Sequence, residues 1–113
     1  MGYIRNHTII VEGDGKSFKL LKDSDPFPLR TAHRKAKTIF PYVSPISPIA
    51  INGSAAFFIP PDGSKEGWDD SNKGDERRDE FVDFLRTTGL AWVEVQFGDD
   101  EGITKIIRHS DEN

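Results

Sequence analysis

The sequence predicts an α+β domain with the ferredoxin-like split βαβ order: β-α-β-β-α-β plus an extra C-terminal strand, an antiparallel sheet with two helices on one face. Three observations predict it. A β-branched run stands near the N-terminus, two stretches of helical periodicity flank an Asn-Gly turn, and a two-residue alternation near the C-terminus is followed by a polar turn and an apolar return. At 113 residues the chain suits one domain spanning 1–113, long enough for one core and too short for two.

The first strand is His7-Thr-Ile-Ile-Val11, read as buried on both faces and closed by Gly13-Asp14-Gly15. Lys16 to Leu21 reads either as a hairpin return or as the approach to a helix. Asp25-Pro-Phe-Pro28 then offers an acidic cap and prolines for a first helical turn. Leu29, Ala32, Ala36 and Ile39 or Phe40 follow at helical spacing until Pro41. The opposite side of that helix carries Arg30, Arg34 and Lys37.

Asn52-Gly53 lies between apolar segments, the pattern of a type I′ turn, and pairs about 48–51 with about 54–59. Pro45 and Pro48 make the first of these an edge strand. Residues 60–74 form a long polar connection, and a second helix is expected over 75–88, with Asp75 and Glu76 early, Arg86 late and Gly89 at its stop. Phe81, Val82, Phe84 and Leu85 supply its apolar face. In the final hairpin Ala91, Val93, Val95 and Phe97 alternate with Trp92, Glu94 and Gln96, and Ile103 to Arg108 returns across Asp99-Asp-Glu-Gly102. The open face of the sheet is expected to carry Trp92, Lys105 and their neighbours.

Charge is unevenly spread. Residues 1–48 hold eight Lys/Arg against four Asp/Glu, and residues 49–113 hold seven against fifteen, for a net −4. Nonspecific nucleic-acid binding needs a basic excess and is disfavoured. A basic element on an acidic body suits one anionic small ligand, or head-to-tail self-association. The absence of cysteine excludes disulfides and thiolate metal sites. No apolar h-region opens the chain and no run approaches the length of a membrane span, so a cytoplasmic protein without membrane partners is expected.

Familiar motifs fail on inspection. Gly15-Lys16-Ser17 lacks the first glycine of a phosphate-binding loop, a position held by Ile10. Asp70-x-Asn72 begins like a calcium loop but places Asp75 and Phe81 at the required glycine and glutamate. His7, His33 and His109 have no metal-ligand spacing, and His33, beside Leu29 and Ala36, reads more readily as a half-buried helix histidine than as a base. Asp79 and Asp83 share a helix face and read as solvated. Neither a cofactor nor a metal is expected, and no catalytic residue is assigned.

The 60–74 connection is longer than a small domain requires, and such segments commonly carry function. Ser64 and Lys65 offer donors and Trp68 offers a stacking surface just before a helix N-terminus, a kit for an anion or a nucleobase. The alternative is that Trp68 anchors the connection to the core. Arg30, His33 and Arg34 on the basic helix would complete a ligand site with Ser64, Lys65 and Trp68.

Ser47-Pro-Ile, Asn52-Gly53, Pro61-Asp-Gly-Ser-Lys-Glu-Gly-Trp-Asp-Asp-Ser and Trp92-Val-Glu-Val-Gln-Phe-Gly-Asp together resemble small bacteriophage-encoded proteins that have no established chemistry. The resemblance implies a setting in the host cytoplasm and a role against host defences, with no functional residues to transfer. The expected function is therefore non-catalytic capture of a small anionic or nucleotide-like ligand, with homo-oligomers closing the pocket. An alternative is an inhibitor or adaptor that presents Asp69, Asp70, Glu76, Asp79, Glu80 and Asp83 to a basic host protein. A third is a small phosphodiesterase working through His7 and His33.

Overall fold

The computed structural model describes residues 6–14, 28–63, 69–98 and 104–111. The N-terminal β-branched run extends into β1 (Asn6–Asp14). It is followed by α1 (Pro28–Ile39), β2 (Ser54–Ile59), α2 (Asp69–Leu85), β3 (Ala91–Phe97) and β4 (Lys105–His109). The four strands form one antiparallel sheet in the order β2-β1-β3-β4. The architecture is α+β, a four-stranded antiparallel sheet with two helices, and is compatible with a ferredoxin-like fold. Residues 16–21 lie outside the described residues.

Register decides which side chains meet the helices. Ile9 stands opposite Ile59 and Glu94, and Val11 opposite Phe57 and Trp92. These rows face α1 and α2, where Leu29, Ala32, Ala36, Phe40, Phe81, Val82 and Leu85 complete the core. Phe40 and Phe81 meet edge to face with centroids 5.8 Å apart, and Phe57 lies 6.4 Å from Phe81. Such tilted pairs avoid stacking the negative faces of two rings. Gly13 ends the inward row for steric reasons, because a Cβ there would come within 2.6 Å of a Leu90 methyl group.

The helix α1 follows its sequence pattern: Pro28 opens it, Leu29, Ala32 and Ala36 are buried, and Arg30, Arg34 and Lys37 are exposed. The second helix starts at Asp69, six residues before the expected Asp75. Its buried stripe is Ser71, Gly74, Arg78, Phe81, Val82 and Leu85, at the 3–4 residue spacing of one helix face. Polar residues and a glycine fill the first half of that stripe, so the periodicity is intact while its hydrophobic signal is missing. At the other end the Thr87 and Thr88 hydroxyls donate to the Phe84 and Leu85 carbonyls, and Gly89 adopts φ +73°. Terminal carbonyls without intrahelical partners are satisfied in this way.

Three sequence expectations are corrected. The first concerns 48–51, which is not a strand. Instead the segment 44–50 runs along the outer edge of β2, and a 3-10 turn, Ile51–Gly53, makes the reversal with Gly53 at φ 77°. Ser44 N–H donates to the Phe58 carbonyl (3.0 Å), and the Ser44 hydroxyl accepts from Phe58 N–H (2.9 Å). Ser47 repeats this arrangement with Ala56 at 2.8 and 3.0 Å. Proline after each serine cannot donate and holds the serine extended, so the hydroxyl supplies the acceptor that a strand's carbonyl would have given. Three residues per rung against two on β2 rule out a regular ladder.

The second correction concerns the faces of the sheet. Trp92, Glu94 and Gln96 point toward the helices and are buried, while Ala91, Val93, Val95 and Phe97 look outward. Trp92 is therefore not on the open face. On β1, Ile9 and Val11 are buried but Ile10 is 42% exposed, so that strand is covered on one side only. Third, residues 69–74 belong to α2, which shortens the long connection to 60–68.

Candidate functional site

Burying Glu94 beneath α2 demands compensation, since an unpaired carboxylate in a core costs several kcal/mol. The sheet register supplies it. His7, from β1, places Nδ1 2.9 Å from Glu94 Oε2. Arg108, from β4, donates through Nε to Oε1 at 2.6 Å and reaches Asp79 of α2 at 2.8 Å. Arg78 of α2, itself 3% exposed, donates to Asp62 at 2.9 Å, pairs with Asp75 and holds Nε 3.9 Å from Glu94. Asp79, whose side chain is 63% exposed, is solvated as expected, and its counter-charge here is Arg108.

Burial pushes the Glu94 carboxyl up, but hydrogen bonds from His7 and Arg108, with their charges, outweigh it and hold the group below its ordinary range. Burial lowers Arg108, and Glu94 and Asp79 more than offset this to raise it. Tyr42 is raised by burial and by the nearby Asp62 carboxylate. Among the described residues no buried side-chain nitrogen or oxygen lacks a partner, and no His, Cys, Asp and Glu cluster could hold a metal ion. The network is a closed set of ion pairs joining β1, β3, β4 and α2. Its four carboxylates, Glu94, Asp62, Asp75 and Asp79, share the guanidinium groups of Arg78 and Arg108, with His7 hydrogen-bonded to Glu94.

The residues expected to bind ligand are divided. Ser64, Lys65 and Trp68 lie outside the described residues. Arg30 and Arg34 are exposed on α1. His33 is half-buried, with Nε2 2.8 Å from the Ser44 carbonyl and its ring edge-on to Phe57 at 5.0 Å. A neutral or protonated His33 donates that Nε2–H to Ser44, so it ties α1 to the 44–50 segment instead of offering this nitrogen to an anion. His7 engages Glu94 and His33 engages Ser44, so the two imidazoles of the phosphodiesterase reading serve separate partners. Of the acidic set, Glu76, Glu80 and Asp83 are exposed on α2, and the side chains of Asp69 and Asp70 lie outside the description.

What the sequence reading missed is the outer face of the sheet. With β3 turned so that its polar row is buried, its apolar row joins Thr8 and Ile10 of β1, Ala56 and Phe58 of β2 and Ile106 of β4. Ile10, Phe58, Phe97 and Ile106 are 42, 44, 38 and 63% exposed. Glu12 lies at one end of this face beside His109 and Asp111, and the Ser54 hydroxyl donates to it at 2.9 Å. A groove of about 600 Å³ runs between Thr8, Ile10, Phe58, Phe97, Pro45 and Pro61. The sequence carries no local signal for this, because both rows of β3 contain large apolar residues and the basic partners of Glu94 come from β1, α2 and β4.

Among the described residues no helix is long and apolar enough to cross a membrane. No family model, curated protein or solved structure matches the chain.

Proposed function

We propose that this is a non-catalytic interaction protein that holds a polypeptide partner on the open face of its sheet. One observation carries the reading: β3 buries Glu94 and Gln96 and shows Val93, Val95 and Phe97 outward. Burying a carboxylate requires a network of ion pairs, whereas burying the valines and phenylalanine would require none. A fold that does the harder thing and leaves the apolar row outside is organised around a surface to be covered by something else. A four-stranded face of this size presents roughly 400 Å² in projection, the size of the largest patch on many monomers, which is often functional.

The same reading takes the chain as a ferredoxin-like split βαβ unit. In it the Ser-Pro segment 44–50 stands in for the second strand and β4 is the added C-terminal strand. The added strand widens the face and supplies Ile106. The Ser-Pro segment blocks one sheet edge, because Pro45 and Pro48 have no N–H to offer an incoming strand. Capture of a small anion by Arg30 and Arg34 is a weaker reading, since His33 is committed to Ser44.

A photo-activated benzoylphenylalanine at Phe97 tests the proposal in the producing cell. Adducts with a polypeptide are expected there and not at Arg34, which is exposed on the opposite layer. Adducts at Arg34 alone, or none at Phe97, would overturn it.

A further inference from the structure

Resting on the reading of the open face as a docking surface, we infer that its occupant is a second copy of this chain, packed sheet to sheet about a twofold axis parallel to the strands. The face favours a like partner by its chemistry. Its strands contribute an apolar centre of Ile10, Val93, Val95 and Ile106, with Glu12, which accepts from the Ser54 hydroxyl, beside His109 and Asp111 at one end. Among the described residues that apolar centre carries no charge, and interfaces between identical subunits are the more apolar class. The face, roughly 400 Å² in projection, is small beside the roughly 800 Å² per partner of a standard stable complex, which makes the pair one that separates on dilution.

The register adds a geometric reason. A twofold parallel to the strands, passing between the central strands β1 and β3, carries β4 of one copy over β2 of the other. Ile106 is opposite Val95, and Val95 is opposite Thr8, so these three residues lie at one level along the strands. Ile106 is 63% exposed, the most exposed large apolar side chain among the described residues of the four strands. At that same level, on the β2 side, lies the groove floored by Thr8 and walled by Ile10, Phe58, Phe97 and Pro61. The axis therefore seats Ile106 of each copy in the groove of the other. Aligned sheets cross at about 30°, which displaces this contact by only about one residue, within the groove's length. Knob and groove are offset across the sheet but not along it, which is what an isologous pairing of this kind requires.

Analytical ultracentrifugation of the purified chain is expected to show a dimer that dissociates on dilution, and Ile106→Asp is expected to remain monomeric at every concentration tested. Because Ile106 is so exposed, the variant should keep the wild-type circular dichroism spectrum. Benzoylphenylalanine at position 106, in a mixture of ¹⁴N and ¹⁵N chains, should give mixed-isotope adducts that map to residues 44–61. A wild-type chain that is monomeric throughout, or adducts that join position 106 to position 106, would overturn the inference. If Phe97 cross-links in the cell to a different polypeptide while the purified chain stays monomeric, the docking reading stands and the dimer does not.

Discussion

Glu94 is the residue on which the inner half of the sheet turns. With 2% exposure and partners on two strands and a helix, its carboxylate is compensated only while His7, Arg108 and Arg78 stay in place. Removing one member of a buried pair strands the others, at about 3–5 kcal/mol. Glu94→Gln is expected to destabilise the fold by about 3 kcal/mol in urea unfolding, and a loss under about 0.5 kcal/mol would show that the network contributes nothing. The pH dependence has a definite sign. The folded carboxyl titrates below its ordinary value of 4.5, so its stabilisation is full above that value and is lost as pH falls through the lower, folded value. Wild-type protein should therefore lose stability on acidification more steeply than Glu94→Gln. Equal slopes would place the acid sensitivity elsewhere. Arg78→Met keeps the packing volume but leaves Asp62, whose side chain is 13% exposed, without this cation. It is expected to cost about 2–3 kcal/mol in the same measurement.

At the scale of elements, the segment 44–50 behaves as a strand made from side chains. Ser44 and Ser47 each exchange two hydrogen bonds with one residue of β2, one through N–H and one through the hydroxyl. Ser44→Ala and Ser47→Ala are each expected to cost about 1 kcal/mol and to speed amide exchange at Phe58 and Ala56 respectively. Unchanged exchange at these two amides would mean that water replaces the hydroxyls without loss. This segment also marks where sequence reading succeeds and where it stops. The prolines point to an edge and Asn52-Gly53 to a reversal, both local constraints on φ and on donors, but the expected edge strand at 48–51 and type I′ turn give way to the Ser-Pro segment and a 3-10 turn. The α1 stripe was legible for the same reason, since Leu29, Ala32 and Ala36 report its period directly. The early start of α2 was not, because Ser71, Gly74 and Arg78 occupy its buried face and Gly74 imitates a stop. Nor was the orientation of β3. Its inward row is polar, and the cations that make this tolerable come from residues remote in sequence, β1, α2 and β4.

For the whole molecule, the charge map and the apolar map occupy opposite layers. The cationic side chains of α1 and the acidic side chains of α2 lie on the helix layer, and the uncharged apolar row lies on the sheet's outer face. Two copies joined by their sheets would bury the apolar layer and leave the charged helix layers in water, with Glu12, His109 and Asp111 at one end of the contact. That arrangement links stability to concentration. A dimer that is more ordered than its separated chains gains about 1.4 kcal/mol per pair, or about 0.7 per chain, for each tenfold rise in concentration. For a domain near this size, one kcal/mol moves the thermal midpoint by about 4–8 °C. The midpoint should thus rise by roughly 3–5 °C per decade of protein concentration when dissociation accompanies unfolding. Ile106→Asp should flatten that dependence while leaving the midpoint of dilute protein nearly unchanged, because Ile106 is largely exposed in the single chain. Salt should alter the slope little, since the contact is apolar and the helix-layer charges face away from it. A wild-type midpoint that does not move with concentration, or one whose slope collapses in high salt, would assign the outer face of the sheet a different role.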